Sequence, residues 1–287
     1  MRSTVRKVQR RPRIKFNEFK KSLIEINNPN GKFFILPKRR NMVWLVNPVN
    51  WGGLQSIKTE HFGGHKGVRR HESLEVKVKK PGTNLARILI LKPAQIPNKR
   101  LQELFGLERF REEARIVTEA PIGLCRIAEV WYTLTLKLEG QTLKKLGDVS
   151  NGSVVDAAKL YGKAFNAGLL QNDSGIKHIM ASRKRLRLFD LEFATRAKNK
   201  TQGLSDFKSF FVSAIEGGLI SDRDKAFEVI GAFCKVTGVK ENVIINLVKT
   251  GIDKRQKMYA DFNINPRGFM DLLLKRPDKL EEMQKLL

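Results

Sequence analysis

Along residues 73–79 apolar and polar side chains alternate, with Leu74, Val76 and Val78 set against Glu75, Lys77 and Lys79. That is the period of a half-buried strand. Pro81-Gly82 marks a turn, and Leu85–Leu91 is a near-continuous apolar run, so the two stretches predict a hairpin. Upstream, Phe33–Leu36 and Met42–Val46 are short apolar stretches broken by Asn, Pro and Gly, and also read as β. The period then changes. Leu104, Leu107, Phe110 and Ala114 recur at three- and four-residue spacing, which predicts a helix over Leu101–Thr118. Ile127–Leu138 returns to β patterning, and Gly140 interrupts it.

After Ser150 the pattern is mostly helical. Val154, Ala157, Ala158, Tyr161 and Phe165 share one side of a helix predicted over Ser153–Leu169. Leu186–Phe189 is a short strand, and Leu204 onward is helical, punctuated at Gly217-Gly218, Gly238 and Pro266. Runs of strands followed by runs of helices predict an α+β fold of two lobes. The expected division is a basic tail over 1–25, a β-rich N-lobe with one helix over 26–139, and a mostly α C-lobe over 140–287. No internal repeat is present.

Composition narrows the class. The 287 residues include 55 Lys+Arg and 29 Asp+Glu, a net charge of +26. With 41% hydrophobic residues the chain is too apolar for wholesale disorder. No apolar run approaches the roughly 18–20 residues of a membrane-spanning helix. The N-terminus is basic but lacks the apolar core of a secretory signal. Two cysteines, Cys125 and Cys234, make no disulfide framework and fit a reducing, cytoplasmic compartment. Neither CxxC nor HExxH occurs, so no structural zinc site is expected. His61, His65 and His71 have no ligand spacing, and Trp44, Trp51 and Trp131 read as packing residues.

The charge points to anionic partners: nucleic acid, phospholipid, a phosphorylated glycan or an acidic protein. It is dense in Arg2–Lys15, where seven cations precede the first acid, Glu18. Further clusters are Lys38–Arg40, Lys77–Lys80 and Arg183–Arg185. Charge alone does not choose between RNA and membrane, since both attractions are Coulombic and salt-screened.

Five features occur in an order that matters. Phe62–Val68 is glycine-rich, with Gly63, Gly64 and Gly67, and precedes the hairpin; glycines let backbone approach phosphates. Ile88–Leu91 ends in Lys92. Glu112-Glu113 lies on the following helix, where Glu113, or Glu112 one step round the helix, could pair with Lys92. Asp173 and His178 stand five residues apart in Gln171–His178. Asp190 follows the short strand, 17 residues after Asp173. Taken singly, each has a commoner explanation: a turn, a strand-end lysine, a solvated helix face, a packed histidine. Together they make the kit for phosphoryl transfer: a lysine for the phosphates, a glutamate to position it, an aspartate to accept the acceptor proton, and ligands for Mg²⁺.

In this order the residues resemble the protein-kinase-like superfamily over about residues 55–240. Lys92 matches the strand lysine, Glu113 the helix glutamate, Asp173 the catalytic-loop aspartate and Asp190 the aspartate of DFG. Leu138–Leu143, with Glu139, resembles the stretch after the interlobe hinge. The departures are Gln171-Asn172-Asp173 for HRD, His178 for the metal-side asparagine and Asp190-Leu191-Glu192 for DFG. They resemble the lipopolysaccharide core kinases, which phosphorylate heptose or Kdo, as does the later stretch from Asp206-Phe207 to Phe227.

The resemblance implies a two-lobed protein-kinase-like fold and an ATP- and Mg²⁺-dependent kinase acting on a sugar hydroxyl of the lipopolysaccharide inner core. It would work at the cytoplasmic face of the inner membrane, docked on anionic glycolipid. Asp173 would be the base and Lys177 an aid to charge neutralisation. Gly63, Gly64, Gly67, Lys92, Glu113 and Glu139 would serve the nucleotide, and His178 and Asp190 the metal. Imidazole is an unusual Mg²⁺ ligand, so His178 could instead hold Asp190 or a phosphate. A protein kinase is disfavoured, because no APE-like segment follows Asp190. The alternative is a kinase-like module that has lost catalysis and binds RNA or an acidic partner.

Overall fold

The alternating segments of the first half pair into one seven-stranded antiparallel sheet. The computed structural model describes residues 13–28, 31–46, 51–57, 73–94, 97–127, 130–146, 151–182, 185–264 and 277–287. Its first lobe comprises α1 (Phe16–Ser22), β1 (Ile24–Asn28), β2 (Gly31–Ile35), a 3-10 segment (Pro37–Val46), β3 (Trp51–Ile57) and β4 (Ser73–Lys79). It continues with β5 (Ala86–Ala94), α2 (Pro97–Glu112), β6 (Ala120–Ile127) and β7 (Val130–Leu136). The strand order is β1-β2-β6-β7-β5-β4-β3. The predicted hairpin is β4–β5, with Leu74 opposite Leu91 and Val76 opposite Leu89.

Alternation sorts the sheet into two faces. Phe33, Ile35, Val76, Leu89, Leu91 and Leu134 line one, closed by Leu45 and Val46 of the 3-10 segment. Met42–Val46 is therefore not a strand. It covers the sheet with its apolar residues while the preceding Lys38 and Arg40 stay exposed. The other face, with Phe34 and Leu124, packs on Leu101 and Leu104 of α2 and Phe19 of α1. Trp131 stacks on Phe34 here with ring centroids 5.8 Å apart. Lys92 falls on this second face, opposite Thr133 in register.

Two expectations need correction, and one strand was not expected. The basic tail does not extend to residue 25: Phe16 and Phe19 of α1 each set their rings 5.2 Å from Phe105 of α2, so residues 13–25 belong to the sheet lobe. Residues 1–12 lie outside the described set. Next, α2 ends at Glu112 rather than Thr118; the chain turns at Arg115, whose φ is +56°, and Thr118 then pairs with Leu188. Finally β6 had no legible period, because Pro121 and Gly123 break it, yet it lies inside the sheet between β2 and β7. A register shift between those two residues absorbs the proline. A Cβ at Gly123 would stand 2.0 Å from the Phe34 carbonyl oxygen, so only glycine fits there.

The second lobe contains β8 (Gln141–Thr142), α3 (Leu143–Leu146), α4 (Asn151–Asn166), β9 (Leu169–Leu170), a 3-10 turn (Ile176–His178), β10 (Ile179–Ser182), β11 (Arg185–Leu188) and β12 (Thr195–Arg196). The helices α5 (Lys200–Gly203), α6 (Ser205–Glu216), α7 (Arg223–Thr237), α8 (Glu241–Ile264) and α9 (Pro277–Leu286) follow. Its core centres on Tyr161, Phe207, Phe210, Phe211 and Phe233, with Phe207 and Phe233 stacked at 4.0 Å. Asp222 caps α7 by accepting from the Lys225 N–H at 2.8 Å, and Gly238 ends it at φ +72°. The result is a mixed α+β arrangement, a sheet lobe followed by a helical one. Among the described residues no helix is long and apolar enough to cross a membrane.

Both cysteines are free and buried, one in each core. Burial pushes the Cys125 thiol well up and the Cys234 thiol up to about 11. Since the thiolate is the reactive form, neither should be alkylated by iodoacetamide at pH 7.5 in the native protein. Both should be labelled in 6 M guanidinium. Mass spectrometry of the native sample checks this, and rapid native labelling of Cys125 would contradict its place in the sheet core.

Candidate active site

The lobes meet where residues 117–119 run beside β11. The Leu188 N–H donates to the Val117 carbonyl at 3.0 Å, and the Glu119 N–H to the Leu188 carbonyl at 3.2 Å. This contact brings Glu119 to Lys92. Lys92 Nζ lies 2.9 Å from Glu119 Oε1 and 3.4 Å from Glu103 Oε1. Glu103 is fully buried on α2 and also accepts from Thr133 Oγ1 at 2.8 Å and Arg100 Nη1 at 2.5 Å. Burial works against the Lys92 charge, but Glu119, Glu103 and Asp190 outweigh it and hold the lysine above its ordinary pKa. Burial likewise opposes the Glu103 carboxylate, yet Lys92 and Arg100 keep its pKa below the usual value.

The expected Lys92–Glu113 pair is not formed. Glu113 lies just past the end of α2 and turns away from Lys92. Its Oε1 accepts from the Ile14 N–H at 3.2 Å and sits 3.6 Å from Arg109 Nε, while Oε2 meets Arg196 Nη2. Glu113 is a structural hub joining residue 14, α2 and β12. The glutamate of α2 that faces Lys92 is Glu103, ten positions earlier. It had a signal in the sequence: an acid between Leu101 and Leu104 on the apolar face, three residues after Arg100.

Asp173 is placed by a loop that Asp206 anchors. The buried Asp206 carboxylate accepts from the Gln171 N–H with one oxygen and from the Asn172 N–H at 3.1 Å with the other. Gln171 is itself buried, accepting from Tyr161 Oη at 3.1 Å and donating to the Phe189 carbonyl at 3.1 Å. Asn172 takes a left-handed φ of +65° and donates to the Phe193 carbonyl and to Thr195 Oγ1, both at 2.7 Å. Gln171-Asn172 thus tie the Asp173 loop to the Phe189–Thr195 stretch. Asp206→Asn leaves one buried N–H facing an amide instead of a carboxylate. We expect a loss of about 1–3 kcal/mol, measured by urea unfolding, with the helical content of the folded state unchanged.

His178 stands between the two aspartates the sequence singled out. Its Nε2 is 3.0 Å from Asp173 Oδ2 and its Nδ1 is 3.6 Å from Asp190 Oδ2. Both ring nitrogens are buried and lack a hydrogen bond of good geometry. The Phe189 N–H donates to the His178 carbonyl at 3.2 Å, fixing the spacing. Lys177 Nζ, exposed, lies 3.5 Å from Asp173 Oδ2. His178 first, with Lys177 adding, holds the Asp173 carboxyl down to about 2 although partial burial acts the other way. Asp190 is half-exposed with a left-handed φ of +59°.

Lys92, Asp173, Lys177, His178 and Asp190 therefore gather at one junction between the lobes. Glu139 does not join them within contact distance; it is exposed on the link between β7 and β8. Gly63, Gly64 and Gly67 lie outside the described residues, between β3 and β4. Glu103, Glu119, Arg100 and Asp206 are site residues that the sequence order did not reveal.

Among the described residues no group of three or more His, Cys, Asp or Glu is arranged to hold a metal ion. The donor set facing the junction, Asp190 and Asp173 with an imidazole between, suits Mg²⁺ only if phosphate and water supply most of its oxygens, as that ion ordinarily requires. No model of a known protein family matches the chain, and no curated protein matches it.

Proposed function

We propose that the chain is an ATP-dependent phosphotransferase with a two-lobed protein-kinase-like fold, whose acceptor is a sugar hydroxyl of the lipopolysaccharide inner core. One observation carries this reading: at the junction where the buried Glu103 backs Lys92 of the sheet lobe, the His178 ring nitrogens stand 3.0 Å from Asp173 and 3.6 Å from Asp190 of the helical lobe. A cation for phosphates thus faces a carboxylate for a metal, with Asp173 beyond His178. The strand order and the position of α2 support the same fold. In this reading Lys92 holds the phosphates, and Asp190 takes the Mg²⁺ that accompanies ATP, with His178 fixing the spacing of the two aspartates. Asp173 orients the acceptor hydroxyl and takes its proton. A carboxylate held near pKa 2 is a weak ground-state base, but in a loose transfer the proton leaves late and positioning dominates.

The acceptor side is cationic. Lys144 and Lys145 are exposed on α3, which packs against the turn that carries Lys177. That favours a phosphorylated glycan on an anionic membrane face, and it fits the net charge of +26. The same charge favours RNA in the second reading, a kinase-like binding module without catalysis. The test is transfer of labelled γ-phosphate to delipidated inner-core oligosaccharide, run beside RNA binding at 50 and 200 mM salt. Mg²⁺-dependent label in the sugar supports the phosphotransferase. Tight, steeply salt-dependent RNA binding with no transfer to any acceptor supports the module.

A further inference from the structure

The fastening of α2 to the chain that follows Asp190 singles out Arg100, so far described only as a partner of Glu103. Arg100, in the first turns of α2, is buried, and its guanidinium forks. Nη1 meets Glu103 at 2.5 Å, and Nη2 meets Glu192 at 3.0 Å. Glu103 is the partner of Lys92, and Glu192 stands two residues after Asp190. One planar side chain thus spans the group that sets the lysine and the segment that sets the aspartate. Two further contacts keep α2 along the same segment. A Cβ at Gly106 would stand 2.8 Å from the Leu191 carbonyl oxygen and 2.9 Å from Ala194 Cβ, so helix and segment touch backbone to backbone. Past the helix end, Glu113 meets Arg196.

We infer that Arg100 is a positioning residue that sets Lys92 and Asp190 together by bridging Glu103 and Glu192. As a role in nucleotide binding, this rests on the phosphotransferase reading; as a mechanical link between α2 and residues 190–194, it does not. Arginine suits the task because its rigid fork serves two carboxylates at once, whereas lysine offers a single point charge. Without the bridge, the 190–194 segment keeps its contacts to Asn172 and Gly106 but loses the Arg100–Glu192 ion pair to α2, so it should open locally while the lobes stay folded.

The experiment uses the full chain with Arg100→Met, Glu192→Gln and the double variant, with Arg100→Lys as the conservative change. Amide hydrogen exchange is read at Phe189 and Ala194, whose N–H groups bond to His178 and Leu191, and in α7 as a remote reference. Each single variant should speed exchange at Phe189 and Ala194 at least tenfold and leave α7 unchanged. The double variant should add nothing further, because both substitutions cut one bridge. Arg100→Lys should recover only part of the protection. Mg²⁺·ATP affinity, by calorimetry, should fall about tenfold in step. Unchanged local exchange, independent effects in the double variant, or equal acceleration in α7 would each overturn the inference. Wild type that binds no nucleotide, with coupled local opening intact, would sink the phosphotransferase reading and leave the mechanical link standing. If Arg100→Met does not fold, Glu192→Gln carries the same local readout from the other side of the bridge.

Discussion

Asp173→Asn should lower phosphoryl transfer about 10²-fold or more, the usual cost of removing a positioned base, with Mg²⁺·ATP affinity retained. The substitution keeps the shape of the side chain and its reach to His178. What it removes is the anionic oxygen that would receive the acceptor's proton. The loop should not collapse, because Asp206 holds it through the backbone of Gln171 and Asn172 rather than through Asp173. Single-turnover transfer and nucleotide calorimetry on the same sample separate rate from binding; transfer within threefold of wild type would remove Asp173 from the chemistry. The pH dependence follows with its sign. Folding lowers the Asp173 pKa to about 2 from an ordinary 3.8. Its contribution to stability is therefore full above about pH 4 and lost as pH falls through 2. Any fall in rate between pH 5 and 7 must then come from another group.

The second large effect is at Asp190. Asp190→Asn should weaken Mg²⁺·ATP binding at least 100-fold, because the triphosphate's charge is then offset without the carboxylate that a hard divalent ion prefers. Asparagine is the informative replacement. Asp190 sits at φ +59°, a conformation that asparagine tolerates, whereas alanine adds roughly 1–2 kcal/mol of backbone cost unrelated to metal. Loss of Asp190 also removes one of the three acids that raise Lys92. Lysine-directed labelling of Lys92 should accelerate as its pKa falls. Equal Mg²⁺·ATP affinity in the two proteins would dissolve the proposed role of the interlobe junction.

What was legible in the sequence depended on whether a residue's partner was local. The β4–β5 hairpin followed from strict alternation across a Pro-Gly turn, and the helix that became α2 from Leu104, Leu107 and Phe110. Asp173, His178 and Asp190 were singled out by their order together with Lys92 and the helix glutamates and by the resemblance that order carries, and a short turn and a two-stranded ribbon bring the three close. Glu113 was misassigned because the period of α2 runs on through Ala114, although the helix stops at Glu112 and the side chain swings to Arg196. Glu103 and Glu119 were hidden for a different reason. Their pairing with Lys92 depends on how three strands and a helix stack, and no window of neighbouring residues encodes that. Phe16 and Phe19 were lost within a basic run whose charge outweighed its two aromatics. Met42–Val46 has strand-like composition but serves as a cover, since the sheet face beneath it needed one.

The Asp206 anchor also bears on the order in which the molecule is made. It closes contacts 34 and 35 residues apart, from α6 back to the Asp173 loop. A growing chain that has reached residue 200 already contains Lys92, Asp173, His178 and Asp190. It does not yet contain the carboxylate that holds the backbone between Tyr161 and Asp173. The loop-closure entropy for that segment is repaid only once Ser205–Glu216 has been synthesised and has packed its phenylalanines. The side chains of the interlobe junction are thus present well before they are arranged, and the junction is completed by a helix that contributes none of them.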